Sequence, residues 1–400
     1  MSSALIKTLI DSSGAVENEL SHYGWELNSE NFSGLPPLPW SIRLRRLHGG
    51  KQEGVEVIEL DNGTMALTIV PTRGMNVLDA HCHGIRLGWN SPVKEVVHPR
   101  WIQPESRGGT GWLEGFNEMM CRCGLESTGA PSVDPPNGGE GSGIFLPLHG
   151  RISNTPASRV WISCQTEPPY HLKVGGNVRE TRMFGPSYLL TTEISTVPGT
   201  AEFKIEDEIT TADSSAELES LYHCNFGPPL LGEGSRLIAP VKKMSARDHR
   251  ALEGLSNWDS FGPPQSGFEE QCYFCTLHGN DAGRTSVALV NADGNHAVRL
   301  EYPLEQLPAF TLWKNTSAES EGYVAGLEPG TDYPNPRAFE RKKGRVVSLK
   351  RGESYRTELN IGLTTGIREV KSLIEEIEAI ADKRAEISPT IDGELSPVQE

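Results

Sequence analysis

Three short stretches hold residues whose types suit proton transfer. The run 323–327, Tyr-Val-Ala-Gly-Leu, ends on Glu328 and is followed at once by Pro329 and Gly330. Small and apolar residues in alternation predict a strand, and Pro-Gly predicts a turn. A carboxylate at the mouth of a sheet would sit on a rigid support. Partial burial there would raise its pKa toward the working pH and suit it to act as a general base. Leu221-Tyr222-His223-Cys224-Asn225 precedes a Gly-Pro-Pro turn. His223 is expected at the end of a strand, placed to donate a proton, with Asn225 on the same face. In Leu148-His149-Gly150-Arg151 a glycine lets a ligand approach the backbone, and a cation follows two residues on. At strand spacing His149 and Arg151 share a face. Taken alone, Glu328 reads better as a solvated strand-end glutamate, and each histidine reads equally well as a core imidazole bonded to a carbonyl.

Other polar groups need an account as well. Arg73, in Val70-Pro71-Thr72-Arg73-Gly74-Met75, stands among apolar residues and requires a carboxylate or ligand oxygens. His81-Cys82-His83 has the spacing that puts two imidazoles on one strand face, which would hold a metal if His149 or Glu328 supplied a third ligand. Most such pairs are not metal sites, so no metal or other cofactor is expected. Cys272 and Cys275 form a CxxC within an alternating stretch with no second pair, and read as structural. Cys121 and Cys123 read the same way. The glycine runs at 108–111 and 138–143 lack the lysine and the strand-to-helix setting of a phosphate loop.

The elements that must position these groups are mostly short strands. Runs at 41–47, 55–60, 65–70, 76–81, 188–196, 202–210, 216–224, 272–278, 286–291, 297–302, 310–313 and 345–349 are separated by turns, among them Asp61-Asn62-Gly63. Regular spacing of this kind predicts a large all-β sandwich. The region 89–143 breaks the pattern: it is long, rich in Gly and Pro, and holds a short helix expected at 113–121. Such a stretch inside a compact domain is usually functional. Val370, Leu373, Ile374, Ile377 and Ile380 recur at helical spacing within 367–385, which predicts an amphipathic helix. The expected organisation is an N-terminal extension (1–40) with a tether at 34–39, a β domain (41–366), and a C-terminal helix with a flexible tail (367–400), disordered after Ser388.

Bulk composition narrows the partners. A net charge of -16 over 400 residues argues against nucleic acid and anionic membranes. No run of about 18 apolar residues is present, and the first residues lack a secretory pattern. Seven cysteines, an odd count at low density, point to reduced thiols in a cytoplasm. Oligomeric state is open between monomer and homodimer.

Four motifs occur in a fixed order: Arg73-Gly74-Met75; Trp112, Phe116 and Cys123-Gly124-Leu125; Leu148-His149-Gly150-Arg151; and Gly326-Leu327-Glu328-Pro329-Gly330-Thr331. Together they span roughly residues 40–362 and resemble the aldose 1-epimerase (galactose mutarotase-like) superfamily, in particular a branch of uncharacterised aldose 1-epimerase-type proteins. The resemblance implies a galactose mutarotase-like β-supersandwich with a sugar cleft, and a cofactor-independent ring opening of a small sugar. By that resemblance Glu328 matches the base, His223 the acid, and His149 the histidine that binds sugar hydroxyls. The family's Asn-Arg-Ile segment has no counterpart, so Arg73 or Arg151 would take its place. The substrate-orienting Asp would be Asp332, Asp248 or Asp259. Asn225 and Lys314 complete the substrate-binding candidates. Two other readings compete: a carbohydrate-binding protein without turnover, and a metal-assisted isomerase or lyase using His81 and His83.

Overall fold

The computed structural model describes residues 4–13, 24–31, 39–136, 142–212, 214–381 and 384–397. Most of the expected tether at 34–39, and most of the glycine run at 138–143, lie outside the described residues. Two large sheets face one another. Among the described residues the first has nine strands in the order Ala4–Asp11, Ala157–Gln165, Leu172–Thr181, Ser187–Thr196, Glu202–Thr211, Ser354–Thr365, His296–Pro303, Arg284–Val290 and Arg236–Ile238. The second has fourteen. At its centre run Met120–Leu125, Ala216–Phe226, Val324–Gly330, Ala309–Asn315 and Gln271–Leu277, each antiparallel to its neighbour.

Alternation sets which side of each strand faces inward. Along Glu202–Thr211, Phe203, Ile205, Asp207 and Ile209 are buried, while Lys204, Glu206 and Glu208 between them reach solvent. The three apolar ones pack with Val174, Leu190, Leu359 and Ile361 of their own sheet against Ile42, Leu44, Ile69 and Leu327 of the other. Each such side chain contributes about 1.5–3 kcal/mol by leaving water. One ionic pin crosses this core. Arg122 is 1% exposed; its Nε and Nη2 donate to Asp207 of the opposite sheet at 2.6 and 3.0 Å.

All twelve strands expected from the pattern are present, with ends shifted by a residue or two. Residues 4–11 form the edge strand of the nine-stranded sheet, and Trp25–Asn28 the edge of the other. The helix is Ile367–Glu378, shorter than expected. Val370, Leu373 and Ile377 cover Ile238, Ala288, Val290 and Ala297 on the outer side of the nine-stranded sheet.

Three expectations are corrected. The stretch 113–121 is not a helix: a 3-10 turn covers Gly111–Glu114, and Met120 and Cys121 already belong to the strand Met120–Leu125. Gly115 stops the turn where a Cβ would lie 2.3 Å from Arg73 Nη1. The strand carrying Glu328 does not end there but runs on to Gly330, and that carrying His223 runs on to Phe226. Both groups therefore lie within the sheet rather than at its mouth. The tail is packed through residue 397: Glu386–Ile387 pairs in parallel with Val241–Ala246, and Leu395 and Ser396 are buried.

Candidate active site

The five central strands bring one cluster to the outer face of the fourteen-stranded sheet. Cys224 pairs with Leu327, a register that sets His223 across from Glu328. His223 also pairs with Cys121, Glu328 with Thr311, and Trp313 with Cys272. Paired side chains point the same way, so Cys121, Cys123, His223, Glu328, Thr311 and Trp313 share this face. Arg122, Tyr222 and Cys224 point into the core. The stretch from Trp89 to Phe116 then packs over it. Trp89, Trp112 and Phe116 pack with Cys121, Cys123, Leu221 and Val324, and Leu148 and Trp313 close the edge.

Glu328 and His223 are nearly sealed, at 2% and 4% exposure, while His149 and Trp313 are half-buried and open the cluster to solvent. Glu328 Oε1 lies 3.3 Å from His223 Nε2, but not in line for a hydrogen bond, so this oxygen is buried without a partner. Across from it the Thr311 hydroxyl is also buried and unpartnered. Burial pushes the Glu328 carboxyl well above its ordinary pKa; the His149 charge opposes this. Burial, with the His149 charge, pushes His223 well below its own. Burial thus favours the neutral form of both groups.

Asn225 fixes the tautomer of that imidazole. Its Nδ2 donates to Glu118 O and His223 O, both at 3.0 Å, so its Oδ1 must accept from His223 Nδ1 at 2.7 Å. Nε2 is then left as a bare acceptor toward Glu328. Asn225 thus orients His223 and is fully buried behind it.

His149 comes from a turn rather than a strand. His149 and Gly150 both have left-handed φ, 56° and 69°. Only glycine takes such a φ freely, and a Cβ on Gly150 would lie 2.3 Å from Gly124 O and 2.5 Å from Ser127 O. The turn aims the His149 Nδ1 at Thr128 O, 2.7 Å away, and stands the ring edge-on to His223 with centroids 5.4 Å apart. Trp112 packs 4.7 Å from the same ring. Burial alone would strip the proton from His149, but the charge of Cys123, then that of Glu328, lifts it to about 9.

The other expected substrate ligands do not reach this face. Arg73 is buried against Glu118 at 2.8 Å and donates to Val97 O and Gly115 O, which answers the need for partners within the protein. Arg151 leaves the His149 turn toward solvent and pairs with Glu105. The strand spacing that would have aligned it with His149 does not exist there. Lys314 follows Trp313 and so faces the opposite side, donating to Asn257 O at 2.7 Å; burial lowers it to about 8. Asp332 is buried beside Glu219 and accepts from Thr128 Oγ1 at 3.1 Å. Asp248 caps the helix His249–Glu253. His83 falls past the end of its strand in a turn at φ 51°, and His81 is exposed near Asp79, so the two imidazoles do not share a strand face. Among the described residues no group of three or more His, Cys, Asp or Glu is arranged to hold a metal.

Three groups here carry no signal in the sequence, and a fourth, Cys123, reads there as structural. The charge of Cys123 favours the charged form of His149. Thr311 faces Glu328. Glu270 accepts from the Trp313 indole at 2.7 Å, and Arg247 holds Glu270 at 3.1 Å and the Cys272 sulfur at 3.0 Å. The strand pattern placed Thr311 and Trp313 on one face; nothing in it tied either to Glu328.

Residues 52–363 match the family model described as a domain of unknown function, DUF4432. A crystal structure of a candidate aldose 1-epimerase from Klebsiella pneumoniae is 36% identical over 96% of this chain and 98% of that one, with a TM-score of 0.90. A galactose mutarotase-like protein from Clostridium acetobutylicum (14% identity, 85% and 98% coverage, TM-score 0.56) shares the fold. So does a candidate aldose 1-epimerase from Escherichia coli K12 (13% identity, 78% and 100% coverage, TM-score 0.53). No curated protein matches the chain.

Proposed function

Since the chain belongs to the DUF4432 family and to the aldose 1-epimerase (galactose mutarotase-like) superfamily, we propose that it interconverts the anomers of a free sugar or close derivative, with Glu328 and His223 as the acid–base pair. One observation carries this reading: a buried carboxyl with an unpartnered oxygen stands 3.3 Å from an imidazole nitrogen whose lone pair a second side chain exposes. Ring opening needs one group to take the proton of the anomeric hydroxyl while another delivers one to the ring oxygen. A pair that shares one proton supplies one of each. Burial favours the arrangement with the proton on Glu328. Its transfer to His223 yields the carboxylate base and imidazolium acid that the family resemblance implies, and the reverse arrangement serves the return reaction. The His149 cation favours the carboxylate form and offers a donor to the oxygen that gathers charge. The free thiols, all buried, support a reducing, cytoplasmic setting.

The test is anomer exchange followed by NMR over a panel of free aldoses, uronic acids and keto-sugars. Catalysed exchange of at least one sugar is expected. Exchange no faster than in buffer across the panel, with some sugars still binding, would sink the reading in favour of a binding protein.

The pH profile follows from the shifts. His223 sits well below its ordinary value, so its acceptor is lost only under acid conditions, and the acid limb should lie below about 6.5. As pH rises through about 9, His149 loses its charge and the rate should fall. An acid limb centred above 6.5, after subtraction of the buffer reaction, would contradict this assignment. The His149 turn can be probed separately. Gly150→Ala is expected to destabilise the fold by about 1–3 kcal/mol through its left-handed φ and backbone clash. It should also slow exchange by up to about a hundredfold through the displaced imidazole. Thermal melting and exchange rates read the two effects, and an unchanged rate would remove His149 from the machinery.

A further inference from the structure

The mount of His149 reaches into a part of the fold that the acid–base pair does not use. Glu219 and Asp332 are fully buried, at 0% exposure. Glu219 lies on the strand Ala216–Phe226, four residues before His223. Asp332 lies two residues past the strand Val324–Gly330, four residues after Glu328. Even spacing keeps Glu219 on the face of His223. The pairing of Leu221 with Gly330 brings both acids to the same end of the two strands. There they close on one residue. The Thr128 N–H donates to Glu219 Oε2 at 3.2 Å, and the Thr128 hydroxyl to Asp332 Oδ1 at 3.1 Å. Thr128 is itself fully buried, and its carbonyl accepts from His149 Nδ1 at 2.7 Å. The next carbonyl, Gly129 O, accepts from the His149 backbone N–H at 3.1 Å. A Cβ on Gly129 would lie 1.8 Å from Asn335 O, so this loop is pressed against the chain just after Asp332.

We propose that Glu219 and Asp332 are positioning residues for anomer exchange: they clamp Thr128, and through its carbonyl they fix the ring of His149. The effect on rate rests on the anomer-exchange reading; the clamp itself does not. A carbonyl oxygen only accepts, so Nδ1 keeps its proton in either charge state of the ring, and Nε2 is the nitrogen turned away from Thr128. Without the two acids, the N–H and hydroxyl of Thr128 would be buried donors lacking acceptors, and the loop would move to satisfy them. The ring would move with it, because both anchors of His149 are carbonyls of this loop. The strands that carry His223 and Glu328 thus also carry the mount of the third group, and one rigid frame holds all three. Burial favours the neutral form of both acids, so the hold comes from acceptor oxygens, which an amide also possesses.

Asp332→Ala and Asp332→Asn test the clamp as a pair. The first removes the acceptor of the Thr128 hydroxyl, and the second keeps an oxygen in its place. Asp332→Ala is expected to slow exchange by about ten- to a hundredfold through the misplaced imidazole, and Asp332→Asn to restore most of the rate. NMR of protein carrying isotope-labelled histidine reads the ring directly, with His149→Gln identifying its signals. In wild type and Asp332→Asn the Nδ1 proton of His149 should lie downfield and exchange slowly with water. In Asp332→Ala it should move upfield and exchange faster. Thr128→Val keeps the shape of threonine and loses only the hydroxyl; it should shift rate and signal the same way, and it reads the same contact if Asp332→Ala does not fold. A folded Asp332→Ala or Thr128→Val with the wild-type ring signal would overturn the clamp, as would an Asp332→Asn as slow as Asp332→Ala. The ring signal needs no turnover. A wild type that exchanges no sugar, with a ring that responds as expected, would support the clamp and sink the epimerase reading alone.

Discussion

Glu328→Gln is expected to return anomer exchange to the rate of buffer alone while leaving sugar binding in place. Glutamine keeps the size and both polar atoms of the protonated acid, but it neither gives nor takes a proton. A positioned proton carrier contributes about a hundredfold to ten-thousandfold, and here the carboxyl is one half of a pair, so its removal disables both halves. Stability should be little affected. Burial favours the neutral carboxyl, the form that glutamine mimics. Exchange is read by NMR and binding by ligand shifts on the same samples. A variant that retains exchange would move the proton carrier elsewhere. A wild type that binds without exchange, matched by a variant that does the same, would leave a carbohydrate-binding module.

Much of this is legible in the sequence. Alternating runs bounded by Gly, Pro and Asn-Gly marked the strands, because a half-buried strand shows its period directly in the chain. Glu328, His223 and His149 were recognisable because each stands beside a breaker: Pro-Gly, Gly-Pro-Pro and Gly. The structure draws the three together on one face. Arg73, Arg151, Lys314 and Asp332 were not resolved, and the reason is common to all. A charged residue in an apolar setting must have a partner, and one sequence does not say whether that partner is a ligand or another side chain. Glu118, Glu105, Asn257 O and Glu219 answered for the protein. For Lys314 strand parity alone carried the answer: with Trp313 on the site face, its neighbour had to point away. Cys123 reads as structural for the converse reason. A buried thiol is unremarkable until an imidazole that is distant in sequence is set against it.

The structure also makes one strong demand away from the site. Asp207→Ala is expected to destabilise the fold by about 3–5 kcal/mol, the range for removing one partner of a buried ion pair. Arg122 loses the carboxylate that takes its Nε and Nη2, and keeps only Gly74 O, Met75 O and Thr192 Oγ1. The Tyr222 hydroxyl loses an acceptor at 2.8 Å and is left with Thr357. Arg122, Asp207 and Tyr222 are all under 5% exposed, so water cannot replace what is removed. The penalty is mainly that of an uncompensated buried charge, so it should shrink when both ends change together. Arg122→Met with Asp207→Leu should recover most of the loss, because well-packed apolar replacements of buried pairs are often neutral or stabilising. Urea titration reads both, as a shift of midpoint at nearly constant slope. A single variant losing less than about 1 kcal/mol would refute the pin. Arg122 stands between Cys121 and Cys123 on the strand that also pairs with His223. Asp207→Ala should therefore also slow anomer exchange, whereas the double variant, with the strand packed again, should restore it.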